Sequence, residues 1–194
     1  MKVGVLALQG AVAEHIRSIE HAGAEGVAVK HPGQLDELGG LIIPGGESTT
    51  IGKLMRKYGF IDAVRFFAAQ GKPVFGTCAG LIVMAKEIEG GEEAHLGLMD
   101  IKVSRNAFGR QRESFETDLE VKGLRAPLRA VFIRAPLITA VGDSVEVLST
   151  YREEIVTARQ GHLLVSSFHP ELTDDSSLHA YFLEMIQSSE AAVK

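Results

Sequence analysis

Cys78, the only cysteine of this 194-residue chain, stands in a setting typical of a catalytic nucleophile. It is the middle residue of Gly76-Thr-Cys-Ala-Gly80, between an apolar run and a helical pattern. Glycines two positions before and after it would let a strand and a helix approach closely around a strained turn. At a helix N-terminus the dipole and free N–H groups favour the reactive thiolate, and the Ala79 N–H would point toward a developing oxyanion. A lone cysteine is more often a small buried apolar residue, so the assignment needs partners.

His169 and Glu171 could supply those partners. They belong to Phe168-His-Pro-Glu171, at the end of an apolar run, where the sites of α/β proteins tend to assemble. Residues two apart face the same side of an extended chain, and Pro170 favours an extended His169. A carboxylate bound to one ring nitrogen fixes the tautomer and leaves the other nitrogen to accept the thiol proton. The sequence therefore predicts a triad of Cys78, His169 and Glu171.

A glycine-rich turn, Pro44-Gly-Gly-Glu-Ser48, could provide a second oxyanion donor through the Gly46 N–H. It ends an apolar run and opens a helix for which Ser48 is the expected cap. Two consecutive glycines let a peptide plane flip at little steric cost, so a switchable oxyanion hole is possible. A phosphate-binding loop is excluded, because five residues separate Gly46 from Gly52 and Leu54 follows the lysine. A tight turn with a helix cap is the structural alternative.

The elements around these motifs alternate between strand and helix in the first half of the chain. Strands are predicted at residues 3–8, 26–29, 40–43 and 73–76, and helices at 11–22, 48–57, 61–70 and 81–87. Strands that are apolar throughout and alternate with helices imply a parallel sheet covered on both faces.

The second half consists mainly of short strand candidates. They lie at residues 101–103, 119–121, 131–132, 145–151, 155–159 and 163–168, and a helix is predicted at 175–188. We expect a three-layer α/β fold: a mostly parallel central sheet flanked by helices, with a smaller antiparallel extension in the C-terminal half. No linker divides the chain, so residues 1–194 are expected to form one domain.

Composition excludes several classes of function. Lys and Arg number 20 against 25 Asp and Glu, a net charge of -5, and the basic residues are scattered, which argues against nucleic-acid binding. The apolar stretches fall short of the about 20 residues that a transmembrane helix needs. With no signal-peptide layout and no possible internal disulfide, a cytoplasmic location is expected. Neither a metal nor a cofactor is expected, because the other histidines lack metal-ligand spacing. These are His15, His21, His31, His95, His162 and His179.

These motifs together resemble the class I, triad-type glutamine amidotransferases, and within that family the glutaminase subunits of pyridoxal 5′-phosphate synthases. The resemblance covers essentially the whole chain. It rests on Leu6-Ala-Leu-Gln-Gly10, Pro44-Gly-Gly-Glu-Ser-Thr49, Gly76-Thr-Cys-Ala-Gly80, Arg105-Asn-Ala-Phe-Gly-Arg-Gln111 and Phe168-His-Pro-Glu171. The string from Arg105 to Gln111 is the most specific of these.

The resemblance implies hydrolysis of L-glutamine to glutamate and ammonia through a γ-glutamyl thioester on Cys78. It also implies that Gly46, Glu47, Ser48, Arg105, Ile133 and Arg134 hold the glutamine. The ammonia would pass to a separate, barrel-shaped synthase subunit in a large hetero-oligomer, with Gln9-Gly10 near the contact that activates the glutaminase.

Two alternatives remain from the residues themselves. The chain could be the glutaminase of histidine biosynthesis, which the string from Arg105 to Gln111 disfavours. It could also be a non-amidotransferase α/β protein whose elbow cysteine serves redox sensing or ligand binding, although such a protein has no need of Glu171 two residues after His169.

Overall fold

The computed structural model describes residues 1–105 and 114–192, which contain five α-helices and twelve β-strands. The helices are α1 (Val12–His21), α2 (Ser48–Lys57), α3 (Phe60–Ala69), α4 (Ala79–Met84) and α5 (Ser177–Ala192). The first six strands are β1 (Lys2–Leu6), β2 (Glu25–Val29), β3 (Gly40–Ile43), β4 (Val74–Thr77), β5 (Ala85–Ile88) and β6 (Met99–Ser104). The others are β7 (Ser114–Leu119), β8 (Leu128–Ile133), β9 (Leu137–Val141), β10 (Glu146–Tyr151), β11 (Glu154–Gln160) and β12 (Leu163–Ser166). Short 3₁₀ turns span Pro32–Glu37 and Pro170–Leu172.

Ten of the described strands form one sheet in the order β2-β1-β3-β4-β12-β11-β9-β6-β5, with β10 paired to β11. From β2 to β12 all neighbours are parallel. Beyond β12 the pairings of β11 and β9 are antiparallel. The predicted fold class is therefore confirmed, including the antiparallel extension of the C-terminal half.

Apolar residues cover both faces of the parallel strands, as expected when helices flank them. One core lies between the sheet and helices α2, α3 and α4 and contains Met55, Phe60 and Phe67. The other lies under α1 and α5 and contains Phe75 and Phe182.

A separate two-stranded antiparallel sheet, β7 and β8, packs on the second core. The rings of Phe115 and Phe132 stack with centroids 4.7 Å apart, and Phe132 lies 5.4 Å from Phe168. Phe168 is fully buried and directly precedes His169. The small sheet thus helps to fix the start of the predicted catalytic segment.

The predicted helix at residues 81–87 is wrong in its second half. Helix α4 ends at Met84, and Ala85–Ile88 forms strand β5, which runs parallel to β6. Ala85 and Ile88 are buried while the two residues between them are exposed. Pairing with β6 therefore overrides a local composition that favours helix.

None of the helices in the described part of the chain combines the length and the apolar character needed to span a membrane.

Candidate active site

Cys78 connects β4 to α4 in a strained conformation. Its φ is 50° and its ψ is -106°, a backbone conformation that residues other than glycine rarely adopt. A Cβ on Gly76 would lie 2.5 Å from the Gly80 carbonyl oxygen, and a Cβ on Gly80 would lie 2.0 Å from that of Ile43. Both glycines are therefore required by the close approach of strand and helix, as the sequence predicts.

His169 and Glu171 are in direct contact. His169 Nδ1 lies 2.6 Å from Glu171 Oε1, and the carboxylate is fully buried. The segment is not extended as predicted, because Pro170–Leu172 forms a 3₁₀ turn. The fixed φ of proline also suits the first position of a helical turn. The turn still brings the carboxylate back to the imidazole.

The surroundings of His169 favour its protonated form. Burial alone lowers the pKa of His169, but its hydrogen bonds to Cys78 and Glu171 and their negative charges outweigh burial and raise the pKa to about 10. The imidazole therefore carries a proton at neutral pH, as in an imidazolium paired with a thiolate.

The glycine turn after β3 lies against both residues. A Cβ on Gly45 would lie 2.6 Å from His169 Cε1 and 3.4 Å from Cys78 Cβ. The Gly45 carbonyl oxygen accepts a hydrogen bond from the Ala11 N–H at 3.3 Å. The Glu47 N–H donates to Gln9 Oε1 at 2.8 Å. The turn after β1 thus holds the peptide planes on either side of Gly46.

Glu47, not Ser48, caps helix α2. Its carboxylate accepts hydrogen bonds from the N–H groups of Thr49 at 3.1 Å and Thr50 at 2.7 Å. Partial burial tends to raise the pKa of Glu47, but the hydrogen bonds from Thr50 and Thr49 lower it to about 2. Ser48 is the first helical residue, and its buried Oγ has no hydrogen-bond partner within residues 1–105 and 114–192.

A cavity of about 520 Å³ opens onto Cys78. That volume suits a small substrate. Every predicted site residue except the buried Glu171 lines it. The lining consists of Gly10, Ala11, Gly45, Gly46, Glu47, Ser48, Cys78, Ala79, Ile82, Arg105, Ile133, Arg134, Pro136 and His169.

Two arginines, Arg105 and Arg134, line the cavity. Arg105 contacts the carboxylates of Glu92 at 2.5 Å and Glu47 at 3.7 Å. Arg134 is exposed and has a positive φ of 44°. The preceding carbonyl, that of Ile133, lies 3.9 Å from Cys78 Sγ. Residues 106–111, the rest of the most specific sequence string, lie outside the described residues.

A buried polar cluster that the sequence does not predict lies behind the predicted triad. His15 Nε2 lies 3.5 Å from Glu171 Oε2 and 3.1 Å from Thr77 Oγ1. His15 Nδ1 lies 2.9 Å from His179 Nε2. The only available signal was the position of His15 on the same helical face as the buried Ile19.

Among residues 1–105 and 114–192, no three His, Cys, Asp or Glu side chains are grouped so that they could hold a metal ion.

Comparison with known proteins gives consistent matches over nearly the whole chain. The model of the SNO glutamine amidotransferase family matches residues 5–188. The pyridoxal 5′-phosphate synthase subunit PdxT of Niallia circulans is 75% identical, over 97% of this chain and 100% of that protein. Its namesake in Halalkalibacterium halodurans is 62% identical, over 98% of this chain and 97% of that protein.

Solved structures agree. A crystal structure of a glutamine amidotransferase is 53% identical, with a TM-score of 0.92, and the match covers 95% of this chain and 98% of that one. The structure of PurLQS from Thermotoga maritima is 17% identical, with a TM-score of 0.69, and the match covers 100% of this chain and 98% of that one. At this low identity, the second likeness supports the fold alone.

Proposed function

This chain belongs to the SNO glutamine amidotransferase family, and we propose that it hydrolyses L-glutamine to glutamate and ammonia on Cys78 for the synthesis of pyridoxal 5′-phosphate. The observation that carries the assignment is the 2.6 Å contact of His169 with the buried Glu171, since His169 lines the same cavity as Cys78. Family membership rules out the non-amidotransferase alternative. The names of the relatives favour pyridoxal phosphate over histidine synthesis.

The reaction begins with attack of the Cys78 thiolate on the side-chain carbonyl carbon of glutamine. The resulting tetrahedral oxyanion collapses, the C–N bond breaks, and the His169 imidazolium gives its proton to the leaving ammonia. Water then attacks the γ-glutamyl thioester, and neutral His169 accepts a proton from it. Breaking the C–S bond releases glutamate and restores the thiolate and imidazolium. Glu171 keeps the Nδ1–H tautomer of His169 throughout.

The oxyanion would be held by the N–H groups of Ala79 and Gly46. Ala79 is the first residue of α4, so its N–H has no partner within the helix. The orientation of the Gly45–Gly46 peptide depends on the hydrogen bond from Ala11 to the Gly45 carbonyl. A movement of the turn at Gln9 and Gly10 would therefore rotate this peptide and form or abolish the second donor.

Substrate glutamine would be held by charged groups at the cavity rim. The guanidinium groups of Arg105 and Arg134 suit the α-carboxylate. The Glu47 carboxylate suits the α-ammonium group, and capping does not prevent this because the side chain is 54% exposed. The Ser48 hydroxyl, which has no hydrogen-bond partner among the described residues, and the backbone of Gly46 and Ile133 complete the proposed set.

The ammonia acceptor would be a separate synthase subunit. The relatives carry the name of one subunit of a synthase, and only one catalytic cavity is proposed among the described residues. We propose that the synthase subunit is barrel-shaped and contacts this chain at the turn around Gln9 and Gly10. The two would form a large hetero-oligomer in the cytoplasm.

A glutamine-analogue electrophile tests the proposal directly. Because Cys78 is the only cysteine, labelling of any thiol reports on this residue alone. We expect stoichiometric labelling that glutamine blocks and asparagine does not. Labelling that neither amino acid affects would contradict a glutamine site at Cys78.

A further inference from the structure

The buried polar cluster behind the proposed triad surrounds the Glu171 carboxylate, whose two oxygens differ in their hydrogen bonding. Glu171 Oε1 accepts the Nδ1–H of His169, while Glu171 Oε2 is buried with no hydrogen-bond partner among the described residues. Leaving a carboxylate oxygen unpaired in a dry interior is costly. His15 Nε2, at 3.5 Å, is a potential donor placed to serve it after a small shift of either side chain.

The tautomers of the two buried histidines can be deduced from their neighbours. Burial lowers the pKa of both His15 and His179, so each ring is neutral and carries one proton. Placing the His15 proton on Nδ1 would turn the bare Nε2 lone pair toward the Glu171 carboxylate, which is repulsive. The favourable arrangement has His179 Nε2–H donating to His15 Nδ1, 2.9 Å away. His15 Nε2–H then faces Thr77 Oγ1 and Glu171 Oε2.

We propose that His15, with its tautomer set by His179, is a positioning residue of the glutaminase reaction, which fixes the Glu171 carboxylate by donating from Nε2 to Oε2. It touches neither substrate nor thiol and acts only through Glu171. This inference rests on the proposed triad, since it assigns His15 the task of holding a triad member.

The positions of these residues explain why such a support is needed. Glu171 lies in a three-residue 3₁₀ turn, which by itself constrains a side chain poorly. His15 comes from α1, Thr77 from β4 and His179 from α5. All three side chains are completely buried, so the cluster ties the catalytic turn to three rigid elements. Within residues 1–105 and 114–192, the other ion-pair partner of this carboxylate is His169, on its opposite side.

A matched pair of variants separates hydrogen bonding from packing. His15→Gln can place an amide N–H near the position of Nε2, whereas His15→Met fills similar space without a donor. In the full chain with its synthase partner, we expect His15→Met to lower kcat by about tenfold to a hundredfold, as for other residues that orient a catalytic group, with KM changed less than about twofold. His15→Gln should recover most of that loss. His21→Met, an exposed change on the same helix, is the control.

The rate at which iodoacetamide alkylates Cys78 distinguishes a positioning role of His15 from a purely structural one. Burial lowers the pKa of His169, but its hydrogen bonds to Cys78 and Glu171 raise it, so the charge of the ring beside Cys78 depends on Glu171. In His15→Met we expect alkylation at about pH 6 to slow by about fivefold or more. A misplaced Glu171 carboxylate no longer supports the His169 imidazolium, which favours the reactive form of the neighbouring thiol. His15→Gln should remain closer to the wild-type rate.

Three outcomes would overturn the proposal: unchanged kcat and alkylation in folded His15→Met, equal defects in His15→Gln and His15→Met, or a wild-type His15 protonated on Nδ1. Imidazole ¹H–¹⁵N NMR of the wild-type protein measures the His15 tautomer, and it does so even if a variant fails to fold. We expect neutral Nε2–H tautomers at both His15 and His179. If Cys78→Ala retained glutaminase activity, the proposed function itself would fail. Loss in Cys78→Ala with no effect in His15→Met would remove only the role of His15.

Discussion

At the scale of single residues, the proposed chemistry depends on a strained cysteine. A positive φ at a residue other than glycine costs on the order of 1–3 kcal/mol, and Cys78 adopts 50°. The Cys78 N–H donates to the Ser166 carbonyl at 2.8 Å, and its own carbonyl accepts from Leu81 at 3.1 Å, so both sides of the elbow are tied to the fold. The surroundings therefore hold the thiol at the cavity rather than letting the turn relax.

Two substitutions of Cys78 should separate strain from catalysis. Both Cys78→Ala and Cys78→Gly should lose glutaminase activity by several orders of magnitude, as triad knockouts do. Glycine tolerates the positive φ, so Cys78→Gly should be more stable to denaturant than Cys78→Ala, by about 1 kcal/mol. Urea unfolding and ammonia release measure the two effects. Substantial activity in either variant would contradict the role of Cys78.

Gly45 is predicted to be irreplaceable because it lies against the imidazole of His169, the proposed catalytic base. A Cβ there would come within 2.6 Å of His169 Cε1, so Gly45→Ala must displace the ring. We expect kcat to fall at least about tenfold, since catalytic geometry tolerates little displacement. Gly33→Ala is a suitable control, because a Cβ on Gly33 meets nothing within 4 Å. Equal kcat values for the two variants would show that the imidazole is not constrained in this way.

At the scale of elements, local patterns predicted the catalytic strand ends well and the short segments poorly. The Cys78 elbow and the pairing of His169 with Glu171 follow from glycine spacing and an X–Pro–X pattern. The 3₁₀ turn at Pro170 was missed because proline's φ suits both an extended chain and a helical turn. Strand Ala85–Ile88 was missed because only its pairing with a distant strand makes it β.

The cap of helix α2 makes a pH-dependent contribution to stability. Glu47 accepts two backbone N–H bonds, so Glu47→Ala should destabilise the protein by about 1 kcal/mol at neutral pH, like the loss of other N-caps. The pKa of Glu47 falls from 4.5 to about 2 on folding, so the folded state binds its proton less readily. The wild-type advantage should therefore be complete above pH 4.5 and vanish as the pH approaches 2.

Denaturant unfolding across that pH range measures the effect. Glu47→Gln is the matched control, because it keeps an acceptor oxygen and loses the titration. A stability difference between wild type and Glu47→Ala that did not change with pH would contradict the assigned cap.

At the scale of the whole molecule, sheet topology assembles the site. Strands β1, β3, β4 and β12 are consecutive parallel neighbours, and their carboxyl ends lead to Gln9, Gly45, Cys78 and His169 respectively. Because these strands are parallel neighbours, a sequence pattern is enough to predict that the loops after them meet at one edge of the sheet. Ile133 instead ends β8 of the small sheet and Arg134 follows it, and the position of that sheet depends on aromatic packing. Only the family resemblance could select them beforehand.

The last prediction concerns dependence on the partner. The Gly45–Gly46 peptide is held by the turn at Gln9, Gly10 and Ala11, where the φ of Gly10 is +104° and a Cβ would lie 1.8 Å from the Gly45 oxygen. A synthase subunit that contacts this turn would therefore reorient the second oxyanion donor, and loss of one such donor costs about 10²–10³ in kcat. We expect ammonia release from glutamine to rise by a factor of this order when the synthase is added. Gln9→Ala, which removes the acceptor for the Glu47 N–H, should reduce that stimulation while leaving iodoacetamide labelling of Cys78 intact. Equal rates of ammonia release with and without the synthase would contradict a switchable oxyanion hole.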